Sequence, residues 1–377
     1  MPISSKDIRK QIIRYVIYLI FVLSLTALAF YLTVGKNVNL IWETLKSANV
    51  WYIVAIFIIV LGCILARSIV VYFLTRIFEK DYFFHRAIAI DQVGSLYRMV
   101  TPAGLGGHVM ETYTYYKQGI RVSNALSIIA MYSIVYQVVL ILYGLISIIC
   151  KHQVINEIGY ISISFNGGSN NVPLWLLISI GFAFNVLSIG VILLISYWNG
   201  FFRFIRGPIV RFLHKIKLLK EVEKHQEHLD AAVINFRNNL KTLFKHIPTL
   251  LICIVFFFIY ITISYSVPYI CGLSLGNASM YANYWDSVLL SNIHQMVTCI
   301  IPIPGSSVIS EMFFLQLFSP SAGPSFYDNE VIARASLLLW RSLMFIFPLF
   351  IASLYTIIYR PRKRNNNENP KDQNLEE

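Results

Sequence analysis

Four arginines and three carboxylates fall inside stretches that are otherwise apolar. Arg67 lies in CILARSIVVYF, Asp91 and Arg98 in IAIDQVGSLYRMV, Glu111 in GGHVMETY and Glu311 in SSVISEMFF, while Arg334 and Arg341 lie in the last apolar run. A charge at the centre of a membrane helix costs about 2.5–3.5 kcal/mol on the insertion scale, so such groups face a partner or an aqueous cavity. A guanidinium meets a carboxylate or a phosphate through two parallel hydrogen bonds. The set therefore suits binding of an anion, with Arg67, Arg98 and Arg341 on the phosphate side and Glu111 and Glu311 as gating or cation-side groups. Each has a plainer alternative. Arg67 can snorkel toward an interface, as Arg76 is placed to do, Arg334 can be interfacial, and the two glutamates can favour helix dipoles. Arg341, the deeper of the last two, is the candidate internal partner of Glu311.

Two breaks hold these groups. TPAGLGGHVME (101–111) and IPIPGSSVISE (301–311) interrupt apolar segments 200 positions apart, with Pro102 matching Pro302 and Glu111 matching Glu311. Broken backbone at membrane depth requires cover by protein or a water-filled cavity. Paired breaks in the two halves of a chain point to a transport site. The first break brings Asp91, Gln92, Arg98, Pro102, Gly104, Gly106, Gly107, His108 and Glu111 into play. The second brings Asn292, His294, Gln295, Pro302, Pro304, Gly305, Ser306, Ser307 and Glu311. Half-helices starting at the breaks offer free amides to an anionic group; close packing of the turns is the alternative, and a lone histidine such as His108 more often satisfies a local hydrogen bond.

The elements that position these residues are membrane helices. Of 377 residues, 56% are hydrophobic and 13% charged, with mean hydropathy +0.62; a soluble domain carries about twice that charge fraction. The expected fold is an all-α integral membrane protein with about six full transmembrane helices and two re-entrant helical hairpins in an inverted repeat. Runs of spanning length occupy 12–34, 51–78, 123–149, 174–197, 247–271 and 331–358. The half-segments 87–100, 106–119, 285–301 and 305–318 are short for a crossing, which favours hairpins that enter and return; two short tilted spans are the rival count. Residues 1–377 read as one polytopic domain: a first repeat over about 51–149, an amphipathic connector over about 199–246, a second repeat over about 247–358, and a polar tail at 360–377. The apolar run at 12–34 is too long for a cleavable signal peptide.

The net charge of +12 sits in the N-terminal segment, in 203–245 and in the tail. Its place is that of topology signals and contacts to anionic lipid, with no nucleic-acid partner. These basic flanks put both termini in the cytoplasm of a plasma membrane. The connector carries Leu218, Val222, Leu229, Val233, Phe236, Leu240 and Phe244 on one face, either for the inner leaflet or for packing on the bundle. Residues 37–50 read as a short interfacial piece and 156–172 as an exposed loop. Cys63, Cys150, Cys253, Cys271 and Cys299 lack paired ligand spacing, so no metal is expected; Cys150 and Cys271 are a disfavoured candidate disulfide. No Walker loop, HExxH or GxSxG occurs, so neither a cofactor nor a catalytic residue is expected.

At the two breaks the sequence resembles the flippase-like transmembrane family of lysylphosphatidylglycerol synthases, the membrane half of the multiple peptide resistance factor, over roughly residues 10–360. The resemblance rests on PAGLGG with Glu111, then Lys117, Gly119, Ile120 and Ala125, and on Pro302, Pro304, Gly305 and Glu311 followed by Arg334 and Arg341. His108 stands where the family often has an acid, and Ser306 and Val308 replace glycines of its pattern. The full-length synthases continue into a large aminoacyltransferase domain, whereas a polar tail follows here. The resemblance thus implies translocation of an anionic or aminoacylated phospholipid such as lysyl-phosphatidylglycerol, with resistance to cationic peptides, membrane phospholipids as partners and a separate lipid-modifying synthase as a candidate one. A lysyltransferase, a small-solute or ion carrier and a non-transporting recruiter of a synthase remain the alternatives.

Overall fold

A computed structural model of the protein describes residues 38–101, 104–165, 168–197, 222–277, 284–299, 308–319 and 326–359, with Ile20, 23–24, 26–28, 30–31 and Gly35 before them. Of 162–165, 168–170, 195–197 and 222–233 only the backbone is described. Five helices among these residues are long and apolar enough to cross a membrane: Val50–Arg76, Val122–Ile158, Leu174–Leu194, Ile247–Ser274 and Glu330–Ile358. The expected first span, 12–34, lies largely outside the described residues, although several of those described within it are helical.

The chain first forms a short helix, α1 (Val38–Lys46), whose Ile41 is buried beside Leu275, Ala335 and Leu338 while Val38, Leu40 and Trp42 stay exposed. Asn49 then caps α2 (Val50–Arg76) by accepting from the Trp51 amide at 3.0 Å. At 1.5 Å per residue α2 is roughly 40 Å long, enough for about 30 Å of hydrocarbon. Two shorter helices follow, α3 (Phe84–Val100) and α4 (Leu105–Lys117), packed on each other. Gly104 turns the chain between them in the left-handed region, at φ 67°.

The central element is α5 (Val122–Ile158), which touches α2, α4 and four of the helices that follow. It outruns the expected 123–149. Its backbone leaves helical geometry at Lys151 (φ −115°, ψ 18°), where the side chain pairs with Asp286. Beyond Gly159 the exposed loop expected over 156–172 is instead an antiparallel hairpin, β1 (Tyr160–Phe165) with β2 (Gly168–Pro173), in register from Tyr160↔Pro173 to Phe165↔Gly168. The alternation in YISISF and the intervening Asn-Gly are ordinary hairpin signals, and strand pairing satisfies backbone groups that a loop would leave to water.

Helix α6 (Leu174–Tyr197) returns and α7 (Val222–Lys245) packs on α5. Leu240 and Leu243 of α7 are fully buried, and Asn239 donates to Asn124 at 2.9 Å. The described part of the connector is therefore fastened to the bundle. Helices α8 (Ile247–Tyr265) and α9 (Val267–Ser274) form one interrupted span, with Pro268 at the start of the second piece. Helices α10 (Tyr284–Thr298) and α11 (Ile309–Phe318) pack together as α3 and α4 do. The final span is α12 (Glu330–Arg341), a π turn (Ser342–Ile346) and α13 (Phe347–Ile358). Pro348 in the first turn of α13 has no amide to give, which accounts for the wider turn before it.

Candidate functional site

Arg67, near the middle of α2, and Asp91 of α3 form a two-point ion pair: Nε to Oδ1 at 2.9 Å and Nη2 to Oδ2 at 3.1 Å. Gln92 donates to Asp91 Oδ2 at 2.9 Å. Asp91 is only 1% exposed, so this pair is sealed. One helical turn and more along α3, Arg98 donates through Nη1 to Glu111 Oε1 and through Nη2 to Ser95 Oγ at 3.2 Å, with Asp91 4.0 Å away. The other oxygen of Glu111 meets His108 Nδ1 at 3.0 Å. Two cations and two anions thus lie along one seam between α2, α3 and α4.

Two glycines permit that seam. A Cβ on Gly94 would stand 2.2 Å from Glu111 Oε1, and one on Gly107 would stand 2.2 Å from Arg98 Cγ. The close approach of α3 to α4 at the charged seam therefore requires no side chain at either position. Gly106 donates its amide to Thr101 Oγ1 at 3.0 Å, closing the turn; Pro102 lies outside the described residues. At the far end Gln118 accepts from Tyr82 Oη at 2.7 Å and donates to Tyr359 Oη at 3.0 Å. Burial first, then the neighbouring Tyr115 and Tyr359, holds the Tyr82 phenol well above the usual tyrosine range, so it stays a donor.

Of the Arg98 side chain 27% remains accessible, against 16% for Arg67. Tyrosines lie beside these arginines. The Arg67 guanidinium lies 5.3 Å from the Tyr260 ring centroid, and Tyr132 of α5 is close enough to bear on the charges of Arg67, Asp91 and Arg98. Tyr132 and Tyr136 both pack edge-on against Phe257. Sequence reasoning missed these tyrosines; the signal was the four-residue spacing of Tyr132 and Tyr136, which sets both on one face of a helix.

The second pair of short helices is built differently. Arg341 of α12 places Nε 2.7 Å from Glu311 Oε1, with the side chains 5% and 3% exposed. The N–H is not aimed at that oxygen, so charge rather than an aligned hydrogen bond holds the pair. His294 joins α10 to α11 through Nε2 and the Ser310 carbonyl at 2.9 Å, and its ring meets Phe314 and Trp340 edge-on. Gln295 is half-buried, its carbonyl accepting from the Cys299 amide. Arg334 instead sits 3.4 Å from Glu330 at the start of α12, apart from Glu311. Pro302, Pro304, Gly305, Ser306 and Ser307 lie outside the described residues.

Val308, immediately before α11, has φ 72° and ψ −53°, a strained conformation for a β-branched residue. All five cysteines are free, including Cys150 and Cys271. Among the described residues no three His, Cys, Asp or Glu side chains are grouped to hold a metal.

No curated protein and no solved structure matches the chain. A family model described as the lysylphosphatidylglycerol synthase TM region matches residues 12–352. With a multi-span helical fold and a match over most of its length, the chain belongs to the lysylphosphatidylglycerol synthase TM family.

Proposed function

We propose that the protein is a lipid translocase that moves a phospholipid with an anionic or aminoacylated headgroup, such as lysyl-phosphatidylglycerol, between the leaflets of a plasma membrane. One observation carries the reading: Arg98 keeps more than a quarter of its side chain accessible within a bundle of membrane-length helices, paired with the carboxylate of Glu111. A partly accessible guanidinium offers a phosphate paired, charge-assisted hydrogen bonds. The short pairs α3–α4 and α10–α11 are taken as re-entrant hairpins related by an inverted repeat, about 51–149 and 247–358, with both chain termini in the cytoplasm. The matched glutamates Glu111 and Glu311, 200 positions apart and each in a returning short helix, support that relation. A separate lipid-modifying synthase would supply the cargo, and resistance to cationic peptides would follow.

Reconstitution tests the proposal. Purified protein in vesicles is expected to speed exchange of headgroup-labelled phosphatidylglycerol or its lysyl ester between leaflets, and Arg98→Gln to abolish that gain. No acceleration with any anionic or aminoacylated lipid would refute it.

A further inference from the structure

The Arg98–Glu111 pair differs from the other two buried pairs in having a histidine hydrogen-bonded to its carboxylate. We propose that a phosphate-bearing ligand displaces Glu111 from Arg98, and that His108 takes up one proton from water as it does so, keeping the released carboxylate. The setting rests on the translocation reading.

Geometry supplies the exchange. Glu111 is held by one oxygen on Arg98 and by the other on His108. His108 is half-exposed at 49%, while Glu111 itself is 8% exposed. The partners of Asp91 are instead Arg67, Gln92 and, at 4.0 Å, Arg98, side chains that do not change charge near neutral pH. In the Glu311 pair the 200-position counterpart of His108 is Val308, and Arg341 is nearly fully enclosed.

Charge supplies the proton. Arg98 on α3 and His108 and Tyr115 on its own helix bear on Glu111, and Asp91 on α3, Arg67 on α2 and Tyr132 on α5 complete the cluster around Arg98. Arg67, Arg98, Asp91 and Glu111 sum to zero. Adding a phosphodiester leaves one uncompensated negative charge in a region where unpaired charge is expensive. A neutral His108 donating its Nδ1–H to Glu111 can accept a proton on Nε2, which restores neutrality and turns the hydrogen bond into an ion pair. The proton comes from water and the phosphate takes the place on Arg98 that the carboxylate leaves.

The test is binding by the full chain in phosphatidylcholine nanodiscs, with short-chain phosphatidylglycerol and dimethyl phosphate, a free phosphodiester that stays singly charged, as separate probes, between about pH 5 and 8, where histidine changes charge. Because the complex holds the extra proton, affinity is expected to fall about tenfold as pH rises across that range. His108→Gln should bind weakly with no slope, and His108→Arg tightly with none. Glu111→Gln should bind more tightly than wild type, again without the slope, which a purely structural glutamate would not produce. A pH slope that survives in His108→Gln overturns the exchange, as does weaker binding by Glu111→Gln. A slope with phosphatidylglycerol but none with dimethyl phosphate assigns the site to a lipid headgroup; the reverse assigns it to a free anion, and the exchange stands in both. Wild-type protein that shows the slope yet moves no lipid between vesicle leaflets refutes translocation alone.

Discussion

Arg341 lies with its guanidinium carbon 4.2 Å from the centroid of the Phe345 ring while its Nε faces Glu311 2.7 Å away. Phe345 in turn belongs to the apolar cluster of Leu96, Val100, Leu349 and Ala352. One ring therefore separates the enclosed ion pair of the second short-helix pair from the tip of α3. Removing one partner of a buried pair costs about 3–5 kcal/mol, whereas replacing both with apolar groups can be near neutral. Arg341→Met should thus unfold at markedly lower temperature in detergent, and Glu311→Leu combined with Arg341→Met should recover most of the loss. Thermal unfolding of the two variants side by side decides this.

Gly94→Ala should disable the first cluster, because the new methyl carbon would occupy the place of Glu111 Oε1. Gly190 in α6 offers the matching control, since a Cβ there meets nothing within 4 Å. Gly190→Ala is expected to leave lipid movement intact and to add up to about 1 kcal/mol of stability from helix propensity. Vesicle exchange rates for the two variants give the comparison, and equal rates would contradict the close approach.

Val308 holds a backbone conformation that glycine adopts freely. Val308→Gly should raise stability by about 1–3 kcal/mol through release of that strain, less the greater freedom of glycine in the unfolded chain. A gain in melting temperature, measured with the protein in one detergent, is the expected result; a fall would show that the valine side chain contributes more by packing than its backbone loses.

Cys150 is exposed, whereas Cys63, Cys253 and Cys271 are buried. The proposed orientation puts Cys150 at the outer face. A membrane-impermeant maleimide applied to intact cells should label the protein, and Cys150→Ser should remove most of that label. Labelling only after the inner face is opened would reverse the orientation.

Much of this arrangement is legible in the chain itself. The four short helices begin and end within a few residues of where the Pro- and Gly-rich breaks and the lengths of the apolar runs put them, because a proline beyond the first turn removes a helical hydrogen bond and ends the helix before it. The Glu311–Arg341 contact follows from the depth of both charges in apolar surroundings. What hydropathy hides is partner choice. Arg67 and Arg98 have equal claims on Asp91 and Glu111 in the sequence; only the glycine-permitted approach of α3 to α4 assigns them. The hairpin at 160–173 escaped because its turn residues dominate a short segment, although YISISF alternates. The break at Lys151 has no proline or glycine to announce it, being tied to a contact 135 residues away. The conformation of Val308 could be suspected only because glycine occupies that place in the family's pattern.

The π turn at Ser342–Ile346 gives the last span two faces in different phase. Before it, Trp340 and Arg341 address His294, Phe314 and Glu311; after it, Leu349 and Ala352 address Leu96 and Val100. A single extra residue in that turn sets the angular offset between the two. Deleting one residue there would rotate one half of the span by about 100° relative to the other. One pair of short helices would keep its partner and the other would lose it. The last span is therefore the physical link through which a rearrangement at one pair of short helices would be felt at the other.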